Sequence, residues 1–121
     1  MKAAYVVKVM PERPGAALIR TTISVATMQR LCGSSDIRAA NYCPLDDYVI
    51  RIAQAVRDPI ESAKMPCFSI GSNEVIRGQT ILFGMNKNGG AASCPVTLDR
   101  LLAVIEWWPA LPQVRLPGLG A

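Results

Sequence analysis

The chain has 121 residues, half of them apolar and 18% charged, with 13 Lys and Arg against 9 Asp and Glu for a formal charge of +4. That size and hydrophobicity suit one domain with its own core and exclude a disordered chain, which needs low hydrophobicity and high net charge. The mild basic excess permits contact with nucleic acid or nucleotides without demanding it. The chain contains no histidine, which removes Ser-His-Asp and Cys-His devices together with the commonest zinc ligand.

Ala3 to Met10 is rich in β-branched residues and closes at Pro11, the pattern of a strand. Pro11, Pro14 and Gly15 supply a turn, and Ala17 to Thr21 returns as a second strand. Ser24 suits an N-cap, Val25, Met28 and Cys32 fall on one face at helical spacing, and Gly33 suits a left-handed terminator, so the spacing predicts a helix over Val25–Cys32. Asp36 to Cys43 reads as a strand. Tyr48 to Val56 supports two readings: its polar residues recur every three as in a helix capped by Asp46 or Asp47, while Tyr48-Val49-Ile50-Arg51-Ile52 suits a strand. Asp58-Pro59 ends either one.

Pro66 to Ile70 is a short extended piece, and Gln79 to Met85 is the clearest strand of the second half. Asn86-Lys87-Asn88-Gly89-Gly90 favours positive φ and predicts a turn into a short strand near Ala92–Cys94. Leu98, Leu101, Leu102 and Ile105 follow the amphipathic pattern, predicting a helix from Leu98 to Trp107 capped by Thr97. These elements predict an α+β class: a small, mainly antiparallel sheet with two short helices in a single domain over residues 1–108. Residues 109–121 form a tail rich in Pro and Gly.

No catalytic motif stands out. Cys32, Cys43, Cys67 and Cys94 lie on four separate segments without the close Cys-Cys spacing that presents two thiolates to one zinc. With no signal peptide pattern and no long apolar run, the expectation is a cytosolic protein, outside the membrane, whose thiols stay reduced and which carries no cofactor. The 86–90 loop lacks the Gly-Lys-Ser/Thr ending of a P-loop, although Lys87 could serve as an anion donor there. Asp46 and Asp47 would need a further acid, such as Glu74, to hold a divalent cation. Trp107 and Trp108, beside an apolar tail, suit an interface.

One resemblance is carried by short motifs. Met28-Gln29-Arg30-Leu31-Cys32-Gly33 resembles the Leu-Gln-x-x-Val-Gly pattern of the domain-of-unknown-function family 3846, found in phages, plasmids and their hosts. Asp46-Asp47, Met65-Pro66 and the stretch Ile76 to Leu82 follow in the order of that family's acidic pair, Leu-Pro and Ile-x-Gly segments, so the resemblance spans roughly residues 3 to 105. Gln54 to Pro59 stands where the family has an Asn-Glu-Glu-Gly turn. The resemblance implies a strand over Tyr48–Gln54, a mobile-element origin and a small binding protein, and it implies no reaction.

The leading expectation is therefore a non-enzymatic accessory protein of a phage or mobile element. It would inhibit a host defence system by occupying a host protein surface or by sequestering a small nucleotide. Arg51, Arg57, Lys64 and Arg77, with Lys87 as loop donor, are the candidate ligand-binding residues. Two other classes stand beside it: a metal-dependent hydrolase or nuclease using Asp46, Asp47 and Glu74, and a homo-oligomeric structural protein associating through Trp107, Trp108 and the tail.

Overall fold

The computed structural model describes residues 3–41, 45–71 and 74–108, which hold nine strands and three short helices. The α+β class is as the sequence predicts. The main sheet has the order β2-β1-β7-β4-β3, with every pairing antiparallel. Strands β1 (Ala3–Met10) and β2 (Gly15–Thr22) form a hairpin in register from Ala3↔Thr22 to Met10↔Gly15, so the Pro11–Pro14 segment is its turn. Strands β3 (Ile37–Asn41) and β4 (Arg51–Ala55) pair at the other side of the sheet. Strand β7 (Thr80–Met85) comes from late in the chain and inserts between β1 and β4. It is covered on both faces, which is why Thr80-Ile81-Leu82-Phe83 is a buried run rather than an alternating one. The short β8 (Ala91–Ala92) continues it through a hairpin over Asn86–Gly90.

The side-chain alternation of β1, β4 and β7 divides the core in two. On one face, Val6, Ala53, Ile81 and Phe83 meet Met28 and Cys32 of helix α1 (Val25–Cys32). On the other, Val7, Val9 and Leu82 meet a small second sheet, order β6-β5-β9. That sheet consists of β5 (Cys67–Ile70), β6 (Ile76–Arg77) and β9 (Ile105–Trp108), and it delivers Phe68, Ile70 and Ile105 to the interior. Each such fully buried side chain contributes about 1.5–3 kcal/mol. The result is three layers: α1, the main sheet, and the small sheet with helix α3 (Leu98–Val104).

Helix α1 begins and ends as expected. The Ser24 hydroxyl accepts the Thr27 N–H, and Gly33 sits left-handed at φ 70° with its N–H turned back to the helix. The final helix is shorter than predicted. It stops at Val104, and Ile105 turns extended into β9, pairing Ile105↔Ile70 and Trp107↔Phe68. The β-branched and aromatic run Val104-Ile105 with Trp107-Trp108 prefers the sheet, and burial of Ile105 in the core decides it over the helical spacing.

The open segment Tyr48–Val56 contains strand β4, as the strand reading had it, although the ladder starts only at Arg51. Asp46 and Asp47 cap no helix. Both are left-handed, at φ 52° and 68°, and Leu45 and Tyr48 exchange two backbone bonds of 2.9 Å across them. That is the geometry of a two-residue hairpin turn, which Asp tolerates better than most side chains. A third helix, α2 (Pro59–Ala63), was not expected. Asp58-Pro59 ends one element and starts the next: the Asp58 carboxylate accepts the Ile60 N–H at 2.7 Å, and Pro59 occupies a first-turn position where its missing N–H costs nothing. The Pro/Gly-rich tail, Cys43 and residues 72–73 lie outside the described residues.

Candidate anion-binding site

The antiparallel register of β3 and β4 sets Arg38 opposite Gln54. Gln54 lies two residues from Ile52 and so shares the sheet face that meets the small sheet. Its side-chain nitrogen donates to the Arg77 carbonyl at 2.7 Å and to the Thr80 hydroxyl at 2.9 Å, and that hydroxyl donates to the Gly78 carbonyl at 3.2 Å. Gln54 thereby fixes the end of β6 against the main sheet. Arg77 Nη1 donates to the Ala63 carbonyl at 3.2 Å, which ties the same end to α2.

Arg57 leaves β4 just before the Asp58 cap. Its guanidinium lies over Gly78, where a Cβ would stand 3.1 Å from Arg57 Nη1 and 2.9 Å from Met65 Cε. Gly78 sits at φ 75°, so the position is glycine for its backbone as well as for this close approach. Arg38, Arg57 and Arg77 wall a cavity of about 210 Å³ together with Gln54, Ser62 and the apolar Val56 and Pro59. No carboxylate of a described residue is among its walls. The neighbouring Asp58 carboxylate is engaged by the Ile60 N–H, and neither the Arg38 nor the Arg57 side chain makes a hydrogen bond or ion pair to any described residue.

Three arginines line one small cavity, and a guanidinium presents a planar fork of N–H donors that matches a phosphate or carboxylate. The arrangement can bind and neutralise an anion. Arginine stays protonated at any physiological pH and transfers no proton. Among the described residues Ser62 supplies the one hydroxyl in the walls, and no described side chain among them is a base capable of deprotonating it.

Of the five candidate ligand residues, the fold brings Arg57 and Arg77 together and scatters the other three. Arg51 lies on β4 facing α1, with its guanidinium carbon 5.3 Å from the Phe83 ring centroid. Lys64 borders a separate groove beside α2, next to Asp58 and Glu61. Lys87 is exposed on the β7–β8 hairpin, where the Asn86 side-chain oxygen already accepts the N–H groups of Asn88 and Gly90 at 2.9 and 2.8 Å. That loop is a closed turn rather than an anion cradle. Sequence reasoning missed Arg38 and Gln54. A turn at Asp46-Asp47 announces the pairing of β3 with β4 but not its register: continued without a break from Leu45↔Tyr48 it would set 38 opposite 55, one residue away from the observed Arg38↔Gln54.

The acidic pair serves the fold. Arg100 holds Asp46 by two bonds of 2.7 and 2.9 Å, and this guanidinium keeps the Asp46 carboxyl below the usual carboxylate range. Among the described residues, no three His, Cys, Asp or Glu side chains gather where a metal ion could be held. Cys32, Cys67 and Cys94 are free thiols, and burial pushes each of them up, the nearby charge of Arg77 partly opposing this at Cys67.

Trp107 and Trp108 are half-buried in β9. The Trp107 ring packs on Phe68 with centroids 6.1 Å apart, so it belongs to the core more than to an open surface. No helix among the described residues is long and apolar enough to cross a membrane. No family model, no curated protein and no solved structure matches the chain, so the resemblance to family 3846 rests on its short motifs alone.

Proposed function

We propose that this protein is a non-enzymatic binding protein for a small phosphate-bearing anion, with a nucleotide as the ligand class. The observation that supports this reading is that Arg38, Arg57 and Arg77 line one cavity in which no described residue places a carboxylate. A volume of about 210 Å³ lies below the roughly 300 Å³ at which clefts for whole small molecules begin, and it suits the phosphate end of a ligand better than the entire molecule. Val56, which is 45% exposed, and Pro59 offer apolar contact to the rest. The setting comes from the resemblance to family 3846: in a phage or mobile element, such a protein would sequester a nucleotide on which a host defence system depends.

Calorimetric titration of the full chain with inorganic phosphate, pyrophosphate, AMP, ADP, ATP and adenosine tests the reading. Phosphate-bearing ligands should bind, more tightly as charge rises and more weakly as salt is added, while adenosine should not. Equal binding of adenosine and ATP, or no saturation by any phosphate compound at millimolar concentration, would contradict it.

A further inference from the structure

The opposite face of the main sheet carries a second cavity, of about 340 Å³, where α1 lies over β3, β4 and β7. Val25 and Met28 bound it from the helix, and Ile37, Ala39 and Phe83 from the sheet. Val25 is 71% exposed, which leaves that end open to solvent, whereas Met28 and Phe83 are buried. Its volume falls within the range of small-molecule clefts, and its walls have their usual makeup of apolar side chains with a few polar groups.

Arg51 is the one charged side chain among the described residues of those walls. Its guanidinium leans on the Phe83 ring, a favourable cation–π contact. Its Nε is buried with no hydrogen-bond partner, and no carboxylate among the described residues pairs with it. The guanidinium charge thus lies beside apolar walls without a carboxylate, and an anion placed in the cavity would balance it. The two cavities differ in kind: three arginines at the first suit a dense charge, whereas one arginine in an apolar setting suits a single negative charge on an apolar body.

We infer that this cavity binds an amphipathic monocarboxylate, an apolar chain or ring ending in one carboxylate, with Arg51 holding the carboxylate and the face between Met28 and Phe83 taking the apolar part. The test is titration of the full chain with octanoate and with octanol, followed by calorimetry and by NMR of the Met28 methyl, the Phe83 ring and the Gln54 side-chain amide. Octanoate should saturate and bind at least about tenfold more tightly than octanol, the expected worth of a charge-assisted bond. It should move Met28 and Phe83 and leave Gln54 in place. In Arg51→Gln the two ligands should bind within about twofold of each other. Equal affinities on the unmodified protein, no saturation, or shifts centred on Gln54 would overturn the inference, and none of these outcomes depends on the variant folding.

Discussion

Replacing Gly78 with Ala separates the backbone role of that residue from its role beneath Arg57. Gly78 sits at φ 75°, and a left-handed conformation costs an L-residue about 1–2 kcal/mol. The added Cβ would stand 2.9 Å from Met65 Cε and 3.1 Å from Arg57 Nη1. Both are the far ends of flexible side chains, so they swing away at little cost and the stability loss stays near the backbone figure. For a chain of this length, that is a fall in Tm of about 3–10 °C. The displaced guanidinium is the consequence for binding: loss of one charge-assisted contact weakens a phosphate ligand by about tenfold. Gly33→Ala is the matched control, since Gly33 has φ 70° and a Cβ there meets nothing within 4 Å. It should lose similar stability and no affinity. Thermal unfolding by circular dichroism and calorimetry with pyrophosphate give the two readouts. If Gly78→Ala binds pyrophosphate as the native chain does, or if Gly33→Ala weakens it equally, the placement of Arg57 in the site is wrong.

The other predictions concern the fold around the two sites. Gly84→Ala sets a Cβ against the backbone carbonyl oxygen of Ser93, which cannot swing aside, so it should cost at least about 1–3 kcal/mol; an unchanged urea midpoint would deny the close approach of that segment to β7. The Asp46 carboxyl is held below its ordinary value by Arg100, so its contribution to stability is complete above about pH 4 and disappears as pH falls through the folded-state value. The urea midpoint of Arg100→Gln should therefore fall less steeply below pH 4 than that of the native chain, and parallel profiles would contradict the pairing. Burial pushes the thiols of Cys32, Cys67 and Cys94 up, so a Cys43→Ser variant should react with a thiol-titrating disulfide reagent at pH 8 only after unfolding in urea. Prompt reaction of the folded protein would place at least one of the three outside the core.

Much of the fold was legible because its strongest signals are local. The Ser24 and Gly33 ends of α1, the Pro-bounded hairpin of β1 and β2, and the apolar run of β7 each encode their own conformation. The misread elements depend on distant partners. Ile105 to Trp108 has helical spacing with Leu98 and Leu101, and only pairing with β5, some 35 residues earlier in the chain, makes it a strand. Asp46-Asp47 looked like a cap or half a metal site, yet two left-handed residues in succession make a turn. The candidate site was half legible for the same reason. Arg57 and Arg77 could be selected as cations near the middle of the chain, but their meeting depends on Gln54 bridging the two sheets, and Arg38 joins them only through the β3–β4 register. Arg51 carries the same charge three residues before Gln54, and strand alternation sends it to the other face.

The central claim is that a phosphate-bearing anion binds among Arg38, Arg57 and Arg77. The Arg38 and Arg57 side chains make no hydrogen bond or ion pair to the described residues, so an Arg38→Gln/Arg57→Gln double variant removes two positive charges with little effect on stability. Calorimetric titration of native and variant protein with ATP at low salt tests the claim most directly. The account predicts saturable binding to the native chain, weakened at least about a hundredfold in the variant at an unchanged Tm. Binding of equal strength in the two proteins would contradict it.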